Sequence, residues 1–597
     1  MFLVRTFLTS VVLFLGAKVV FMLTNLGTEK FTAGDMWDVL LHGLTLDLST
    51  TCYLMIVPLL LTVVSIWYVG RWLRWAIRLW FVLVAIMLGL AFAADTALYP
   101  HWGFKLDATC LQYLSTPEAA AASVSMGWLL AGLIGLIGLI ALIAFIYNWR
   151  LRPFVPLGKR WPYGTLCIVM IPLLFLGIRG GIDESTTNIG QVYYSQNAFL
   201  NHSAVNPVFS FMASFESTVR DDVRYTFMTD EECNSTLAGV FNTQTLNPDT
   251  LLRTQRPNIV VVMMESAGGQ FTKIGGKDYI MPHFNRLSDE GVYFSQCYAN
   301  SFRTDRATVC IWSGHESFPT MSLQKVPKKN ANLPGIARSL VKAGYDTHYY
   351  YGGDINFTKK RSYLINSGFE QFTYKSDFSR REQRTAQWGV CDSIVFDRII
   401  QHIQTWNQDD EKPHLIGYNT LSSHEPWDVP TKELDDPVEN AFHYLDRCIG
   451  HFVESLRQLP QWDNLLLILL PDHGVKYGKV DERNPLIMHI PMLWLGGAVR
   501  NARVIDVICN QSDLAATLLG QLGIGHDDFL FSRDVLSQTY TRPFAYHTFN
   551  NGFTLIDSTQ FVVYDLTTDQ PMVGSDEGLF QLGKAILQTT SEDLARR

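Results

Sequence analysis

Apolar runs long enough to cross a bilayer crowd the first 180 residues and are missing from the rest. No other feature limits the fold as strongly. A spanning helix needs roughly 20 mainly apolar residues. Residues 3–22, 51–68, 76–94, 126–147 and 166–178 with its flanks meet that need, the last being the shortest. The first run begins near Arg5, but it is long and no small-x-small cleavage site closely follows it. It therefore reads as an anchor rather than a cleaved signal peptide. The stretch 36–48 is shorter and holds Asp38, His42 and Asp47, which predicts an interfacial or re-entrant segment.

From Asp183 onward the composition is that of an ordinary soluble protein. The chain averages, 48% apolar and 17% charged, therefore describe a mixture of two parts. A chain of 597 residues also exceeds what one core organises. The expected layout is an all-α transmembrane bundle of about five helices over 1–180, a connector along the membrane over 181–255, and an extracytoplasmic α/β domain over 256–597. The positive-inside rule sets the orientation. Arg71, Arg74 and Arg78 lie between spans two and three, and Arg150, Arg152, Lys159 and Arg160 between spans four and five. The opposite loops hold only Lys30 and Lys105. The basic loops are thus expected in the cytoplasm, and five spans place everything after Asp183 outside it. The aromatics Trp102, Phe104 and Tyr113 in the loop 99–125 read as an interfacial belt or a lipid-facing ledge. Residues 196–219 are expected as helix along the membrane.

A net charge of -8 with no basic stripe in the C-terminal half argues against nucleic acid as a partner. Six of the nine cysteines, Cys233, Cys297, Cys310, Cys391, Cys448 and Cys509, fall in the soluble part. Without CxxC spacing they read as small buried hydrophobes, with a Cys297–Cys310 bridge as an alternative.

In the soluble part, strand-length apolar runs at 258–264, 347–351, 414–418, 464–470 and 492–495 alternate with helical periodicity at 333–343, 391–405, 437–459 and 512–522. Continuous apolar strands between helices predict a mainly parallel sheet covered on both faces. Such sheets bind ligands beyond the carboxyl ends of their strands. The first run leads into Glu265 and Ser266, where the carboxylate either caps a turn or holds a cation. The fourth leads into Pro471-Asp472-His473-Gly474, either a capped turn or an O/N ligand pair suited to Zn or Mn. The third leads to His424, the second to Gly352-Gly353-Asp354 with Lys360 and Arg361 beyond. A glycine pair admits a close backbone approach to a ligand, and Arg pairs with phosphate. Thr304 precedes a helical stretch. It is either an N-cap or a hydroxyl placed where a helix terminus and a metal favour an anion.

The segments 261–266, 301–306, 351–354, 423–426 and 471–474, in this order, resemble the lipoteichoic acid synthase-like phosphoglycerol transferases of the sulfatase/alkaline phosphatase superfamily. Residues 510–514 and 531–534 look like further family segments. The five-span anchor with an outward catalytic domain extends the resemblance over nearly the whole chain. It implies a divalent metal, Mn²⁺ favoured with Zn²⁺ or Mg²⁺ as alternatives, held by Glu265, Thr304, Asp472 and His473. It implies that Thr304 attacks the phosphorus of a phospholipid headgroup, phosphatidylglycerol favoured, through a phospho-threonine intermediate. Asp354, Arg361 and His424 are implied to line the headgroup pocket, with His424 also as acid/base. The Asp305-Arg306 that follows Thr304 is closer to the Gram-negative type. It points away from lipoteichoic acid toward a glycan, lipopolysaccharide or lipid acceptor, at the inner membrane facing the periplasm. Cys310 lacks the C/S-x-P-x-R context of a sulfatase nucleophile, so sulfate ester hydrolysis is not expected. Phosphoethanolamine transfer and a catalytically inactive envelope binding protein are the competing readings.

Overall fold

In a computed structural model the described residues are 1–108, 110–111, 126–149, 160–218, 224–246, 248–406, 412–478 and 484–597. The expected aromatic Tyr113 and the basic residues Arg150, Arg152 and Lys159 lie outside them. Contacts divide the chain into two units, Met1–Asp221 and Asp222–Arg597.

The first unit is helical: α1 (Phe2–Thr24), α2 (Ala33–His42), α3 (Leu44–Trp67), α4 (Arg71–Trp102), α5 (Met126–Asn148), α6 (Arg160–Arg179), α7 (Ala198–Ala204) and α8 (Pro207–Thr218). Among the described residues, α1, α3, α4, α5 and α6 contain five stretches long and apolar enough to span, making this a multi-pass membrane protein. Small side chains let the helices approach closely. A Cβ on Gly177 of α6 would come within 2.4 Å of Cys52 Sγ on α3, and one on Gly89 of α4 within 2.6 Å of Ile140 on α5. Ser49 Oγ donates to the Ile178 carbonyl across the α3–α6 contact at 2.8 Å.

Two sequence expectations change here. The stretch 36–48 is not one segment. It divides at Gly43 between α2, which Thr32 caps through the Asp35 N–H at 3.2 Å, and the first turn of α3. The division follows from Asp47, which is buried and accepts from Lys18 Nζ of α1 at 2.7 Å and Asn206 Nδ2 at 2.8 Å, so its turn is drawn into the bundle. Lys105, which follows α4, is also buried and is paired with Asp95. Residues 196–219 form two helices rather than one. Pro207 disfavours helical backbone at Asn206, which instead caps α8 by accepting from the Val208 and Phe209 N–H groups.

The second unit is an α/β/α sandwich. Its main sheet has eight strands in the order β5-β4-β6-β1-β7-β8-β2-β9. These are β1 (Asn258–Met264), β2 (Val292–Phe294), β4 (Asp346–Tyr351), β5 (Gln371–Tyr374), β6 (His414–Asn419), β7 (Leu465–Pro471), β8 (Met492–Leu495) and β9 (Arg503–Ile505); the short β3 (Cys297–Tyr298) pairs with β10 (Cys509–Asn510) in a separate ribbon. All neighbours are parallel except β8, which runs antiparallel to β7 and β2. Period-two alternation explains the burial. Ile259, Val261 and Met263 of β1 face one core, Val260, Val262 and Met264 the other. Each fully buried aliphatic side chain of this kind contributes about 1.5–3 kcal/mol. The second core is closed by α11 (Asp392–Gln404) and α12 (Pro437–Arg457), whose apolar faces carry Val395, Phe396, Phe442 and Ile449. Two further helices of this unit, α9 (Thr304–Ser313) and α10 (Lys360–Ser367), bear on the site. A four-stranded antiparallel sheet from residues 545–573 and the helix Glu577–Arg596 complete the unit.

All nine cysteines are free and all but Cys110 are buried. Cys297 is in register with Cys509 across the β3–β10 ribbon, not joined to Cys310.

Candidate active site

Adjacent strands of the sheet end together, and their next residues converge. Met264 of β1 is level with Pro471 of β7, and Met263 with Asn419 of β6. The backbone then splays but stays tied. Asp472 N–H donates to the Met264 carbonyl at 3.2 Å, and Glu265 N–H to Thr420 Oγ1 at 2.9 Å. Ser266 holds a left-handed backbone, φ +57°, a conformation a non-glycine residue adopts only when its surroundings impose it. Here its N–H is aimed at Asp472 Oδ1, 2.8 Å away, as is the His473 N–H, also at 2.8 Å. One oxygen of Asp472 is thus saturated, and the other, Oδ2, is buried without a hydrogen-bond partner among the described residues.

That orphaned oxygen belongs to a cluster. His473 Nε2 lies 3.6 Å from Asp472 Oδ2 and 3.6 Å from Glu265 Oε1. Thr304 Oγ1 lies 3.0 Å from Glu265 Oε2 and 3.4 Å from His473 Nε2. One donor atom each from Glu265, Asp472 and His473 falls within a 4.8 Å group. His473 Nδ1 sits 2.9 Å from the Gly474 carbonyl, which fixes a proton there and leaves the Nε2 lone pair facing the carboxylates. Two donors about 2.1 Å from one ion stand at most about 4.2 Å apart, so the four measured separations fit a shared divalent cation. The electrostatics agree. Burial, with the Glu265 charge beside it, pushes Asp472 up to about 7. Burial also works against ionised Glu265, but the His473 and then the His424 charge hold its carboxyl below the usual range. Burial lowers His473, while Asp472 and Glu265 outweigh it and raise it. Left to itself the cluster keeps one carboxylate ionised and takes up a proton. A cation would take that proton's place.

Thr304 is the first residue of α9. The N-cap is Arg303, and no side chain makes the capping bond. The capping reading of Thr304 therefore does not hold, because its hydroxyl is spent on Glu265 and His473. The preceding loop is pinned from below. Asn300 exchanges bonds with Gln511 and Ser512, and Ser301 Oγ donates to the Thr548 carbonyl at 2.9 Å. Gln511 Nε2 also reaches the Asp472 carbonyl at 3.1 Å, joining the loop before Thr304 to the loop that carries Asp472 and His473. A fully buried fork between Arg533 and Asp513, at 2.9 and 2.6 Å, fixes residues 510–514 against 531–534.

The other expected residues surround this centre without joining it. His424 is attached through Ser423, whose Oγ donates to the Glu265 carbonyl at 2.6 Å. Its Nδ1 faces the Glu425 carbonyl at 2.7 Å and its ring lies edge-on to Trp388. Asp354 turns the chain after β4 by accepting from the Asn356 N–H. Arg361 reaches Tyr374, with Nη1 3.3 Å from the hydroxyl. The Gly352-Gly353 pair serves the protein's own packing, since a Cβ at Gly352 would lie 2.4 Å from the Val390 carbonyl. Lys360, one residue before Arg361, turns into the site instead. It is buried, donates to Asn419 Oδ1 at 2.7 Å and lies over the Tyr351 ring. Burial pulls it down to about 8 against the opposing charges of Glu265 and Asp472. Adjacent basic residues at the start of a short helix gave no signal for which would turn inward.

The sheet order and the site beyond its carboxyl edge define an α/β domain of the alkaline phosphatase type. Solved relatives share that fold: a protein of the alkaline phosphatase superfamily from Vibrio parahaemolyticus (TM-score 0.55, 24% identity, covering 62% of this chain and 98% of that one) and a lipoteichoic acid synthase from Listeria monocytogenes (TM-score 0.51, 18% identity, the same coverages). Residues 257–524 match the Sulfatase family model. Among curated proteins the chain is similar to Lipoteichoic acid synthase 2 of Bacillus subtilis (strain 168), 22% identical over 317 residues, 47% of this chain and 48% of that one. It is also similar to Phosphoglycerol transferase I of Xanthomonas campestris pv. campestris (strain B100), 24% identical over 215 residues, 32% of this chain and 30% of that one. The chain spans about half or less of the length of these curated relatives.

Proposed function

We propose that the protein is a membrane-anchored phosphotransferase that moves a phosphoglycerol headgroup from phosphatidylglycerol through phospho-Thr304 to an acceptor in the cell envelope. The observation that carries this is Thr304 Oγ1, half-buried at a helix start, not capping, and 3.0 Å from Glu265 within the ligand cluster. The curated relatives, a lipoteichoic acid synthase and a phosphoglycerol transferase, support the same reading.

Glu265, Asp472 and His473, with Thr304 as fourth donor, would hold a divalent cation, Mn²⁺ favoured. Bound there, such an ion supplies Lewis-acid polarisation of the phosphate and lowers the hydroxyl pKa. The chain's own groups do the rest. The Thr304 hydroxyl releases its proton as its oxygen bonds to phosphorus, the phosphorus–oxygen bond to diacylglycerol breaks in line, and that oxygen leaves with a proton; the acceptor hydroxyl then loses its proton as its oxygen bonds to phosphorus, and the bond to Thr304 breaks to restore the hydroxyl. The first N–H groups of α9 and the Lys360 ammonium place positive charge where phosphate charge gathers. His424 is assigned to the moving proton at the leaving and then the entering oxygen, with Asp354 and Arg361 on the headgroup. The membrane unit sits in the bacterial inner membrane, the catalytic domain faces the periplasm, and the acceptor is a glycan or lipid.

Purified chain given Mn²⁺ and either phosphatidylglycerol or phosphatidylethanolamine, with diacylglycerol release followed, tests this directly. Release from phosphatidylglycerol and a covalent adduct mapped to Thr304 are expected. Release from phosphatidylethanolamine alone would replace the headgroup assignment, and no release from either lipid would overturn the transferase reading.

A further inference from the structure

Lys360 enters the site through a strained piece of backbone. The one-turn segment Phe357–Lys359 abuts α10, and helical dihedrals throughout would make residues 357–367 a single helix. Instead Thr358 (φ +53°) and Lys359 (φ +59°) both lie in the left-handed region. Side chains there crowd the backbone, and a β-branched residue such as Thr is among the least suited. Two such residues in succession persist only where their neighbours impose them. The break offsets α10 from the turn before it. Lys360 then meets Asn419 and Tyr351, while Arg361 reaches Tyr374.

The imposing neighbour is Gln324. It lies on the short turn Leu323–Lys325 and is fully buried. Its Nε2 donates to the Thr358 carbonyl at 3.1 Å and to Thr358 Oγ1 at 2.8 Å. Its Oε1 is buried with no hydrogen-bond partner among the described residues. A buried amide with an unmatched oxygen costs stability, and an apolar side chain of the same length would fill the space without that cost. What Gln324 adds to the fold is therefore its donor, and that donor is spent on the left-handed turn. Lys359 Nζ makes a second tie, to the Lys325 carbonyl at 2.8 Å. The same strap grips α9. Ser322 Oγ donates to the Asp305 carbonyl at 3.0 Å, and Lys325 Nζ pairs with Asp305 at 2.7 Å. Residues 322–325 thus set the Lys360 turn against the helix that starts at Thr304.

We propose that Gln324 is a positioning residue: by holding Thr358 and Lys359 left-handed, it turns Lys360, rather than Arg361, into the site. The service of Lys360 to a phosphate rests on the phosphotransferase reading; its aim does not.

Acetylation of the full chain in maltoside by N-hydroxysulfosuccinimidyl acetate, mapped by mass spectrometry, reads that aim without any substrate. Buried Lys360 should react severalfold more slowly than exposed Lys412. Gln324→Met removes the donor at similar length and should raise Lys360 acetylation severalfold. Adding Thr358→Gly should reverse this, because glycine takes a left-handed backbone without steric cost. Thr358→Val, at a half-buried position that spares the core, should act like Gln324→Met, and Thr358→Gly alone should leave Lys360 protected. The buried thiols of Cys297 and Cys509 should stay closed to N-ethylmaleimide in every variant. An unchanged Lys360 rate in Gln324→Met, or in Thr358→Val should Gln324→Met not fold, would overturn the proposal. So would failure of Thr358→Gly to reverse Gln324→Met, or thiols that open together with Lys360, since either marks a general loosening. With phosphatidylglycerol as substrate, turnover should fall severalfold in Gln324→Met but not further when Gln324→Met is added to Lys360→Met; losses that multiply would separate the two residues and also overturn it. No turnover in the unaltered chain would end the transferase reading and leave the acetylation result to decide.

Discussion

At the residue scale, Thr304 has one contact set and one consequence. Its hydroxyl meets Glu265 and His473 and caps nothing. Thr304→Ala should abolish diacylglycerol release while changing thermal stability by less than the ~1 kcal/mol typical of a lost cap. A large drop in melting temperature would show that the hydroxyl is structural instead. Glu316 offers a separate prediction. Burial raises its carboxyl from 4.5 to about 8, with Asn300 Nδ2 bound to one oxygen and the other buried and unpartnered. Between those two pH values the folded protein keeps a proton that the unfolded chain releases. Stability is therefore full below about 4.5 and falls as pH rises toward 8. Glu316→Gln should melt like the unaltered protein at pH 5 and higher at pH 8; parallel pH slopes for the two proteins would refute the assignment. The clustering of Glu265, Asp472 and His473 was legible because they follow unbroken apolar strands, so chain position alone placed them at one edge of the sheet. Lys360 was not, since which of two adjacent basic side chains turns inward depends on Asn419 and Tyr351, which come from other strands.

At the element scale, the site depends on how tightly the strand-end loops pass each other. A Cβ on Gly474 would stand 2.0 Å from the Ile487 carbonyl, with Gly268 also close at 3.5 Å. Gly474→Ala must displace the turn that carries Asp472 and His473, and overpacking of this kind costs about 1–3 kcal/mol. Both melting temperature and the metal retained after incubation with Mn²⁺, the latter by elemental analysis, should fall. Gly525→Ala, where a Cβ meets nothing within 4 Å, should change neither. Normal manganese in Gly474→Ala would mean the turn relaxes without moving its ligands. Long elements were the readable ones. The runs at 258–264 and 492–495 match β1 and β8 residue for residue, because buried β-branched and aliphatic side chains leave no competing period. The direction of β8 was not readable, since strand patterns are the same in both orientations and only the connection decides. The two- and three-residue strands β2, β3, β9 and β10 are too short for any period to show. The antiparallel sheet of residues 545–573 gains its order from pairing between its own strands.

At the scale of the whole molecule, hydropathy reveals the division into a membrane part and a soluble part, but not what closes the membrane part on itself. The apolar faces that mark a spanning helix fit lipid as well as they fit another helix, so they carry little information about partners. The specific contacts come from the few polar side chains, and the Lys18–Asp47 pair is the central one. It joins α1 to α3 at 2.7 Å, takes in the Gly43 carbonyl at 2.8 Å, and draws in Asn206 from the start of α8. Removing one partner of a buried pair strands the other charge, at about 3–5 kcal/mol, whereas replacing both with apolar groups of similar size is often neutral. Asp47→Leu should therefore lower the melting temperature of the full chain in maltoside sharply, because the Lys18 ammonium keeps only the Gly43 carbonyl and the Asn206 amide loses its acceptor. The double change Lys18→Met with Asp47→Leu should recover most of that loss. If the double variant were as unstable as Asp47→Leu alone, the bundle would owe its closure to the hydrogen bonds around Asp47 rather than to charge neutralisation between α1 and α3.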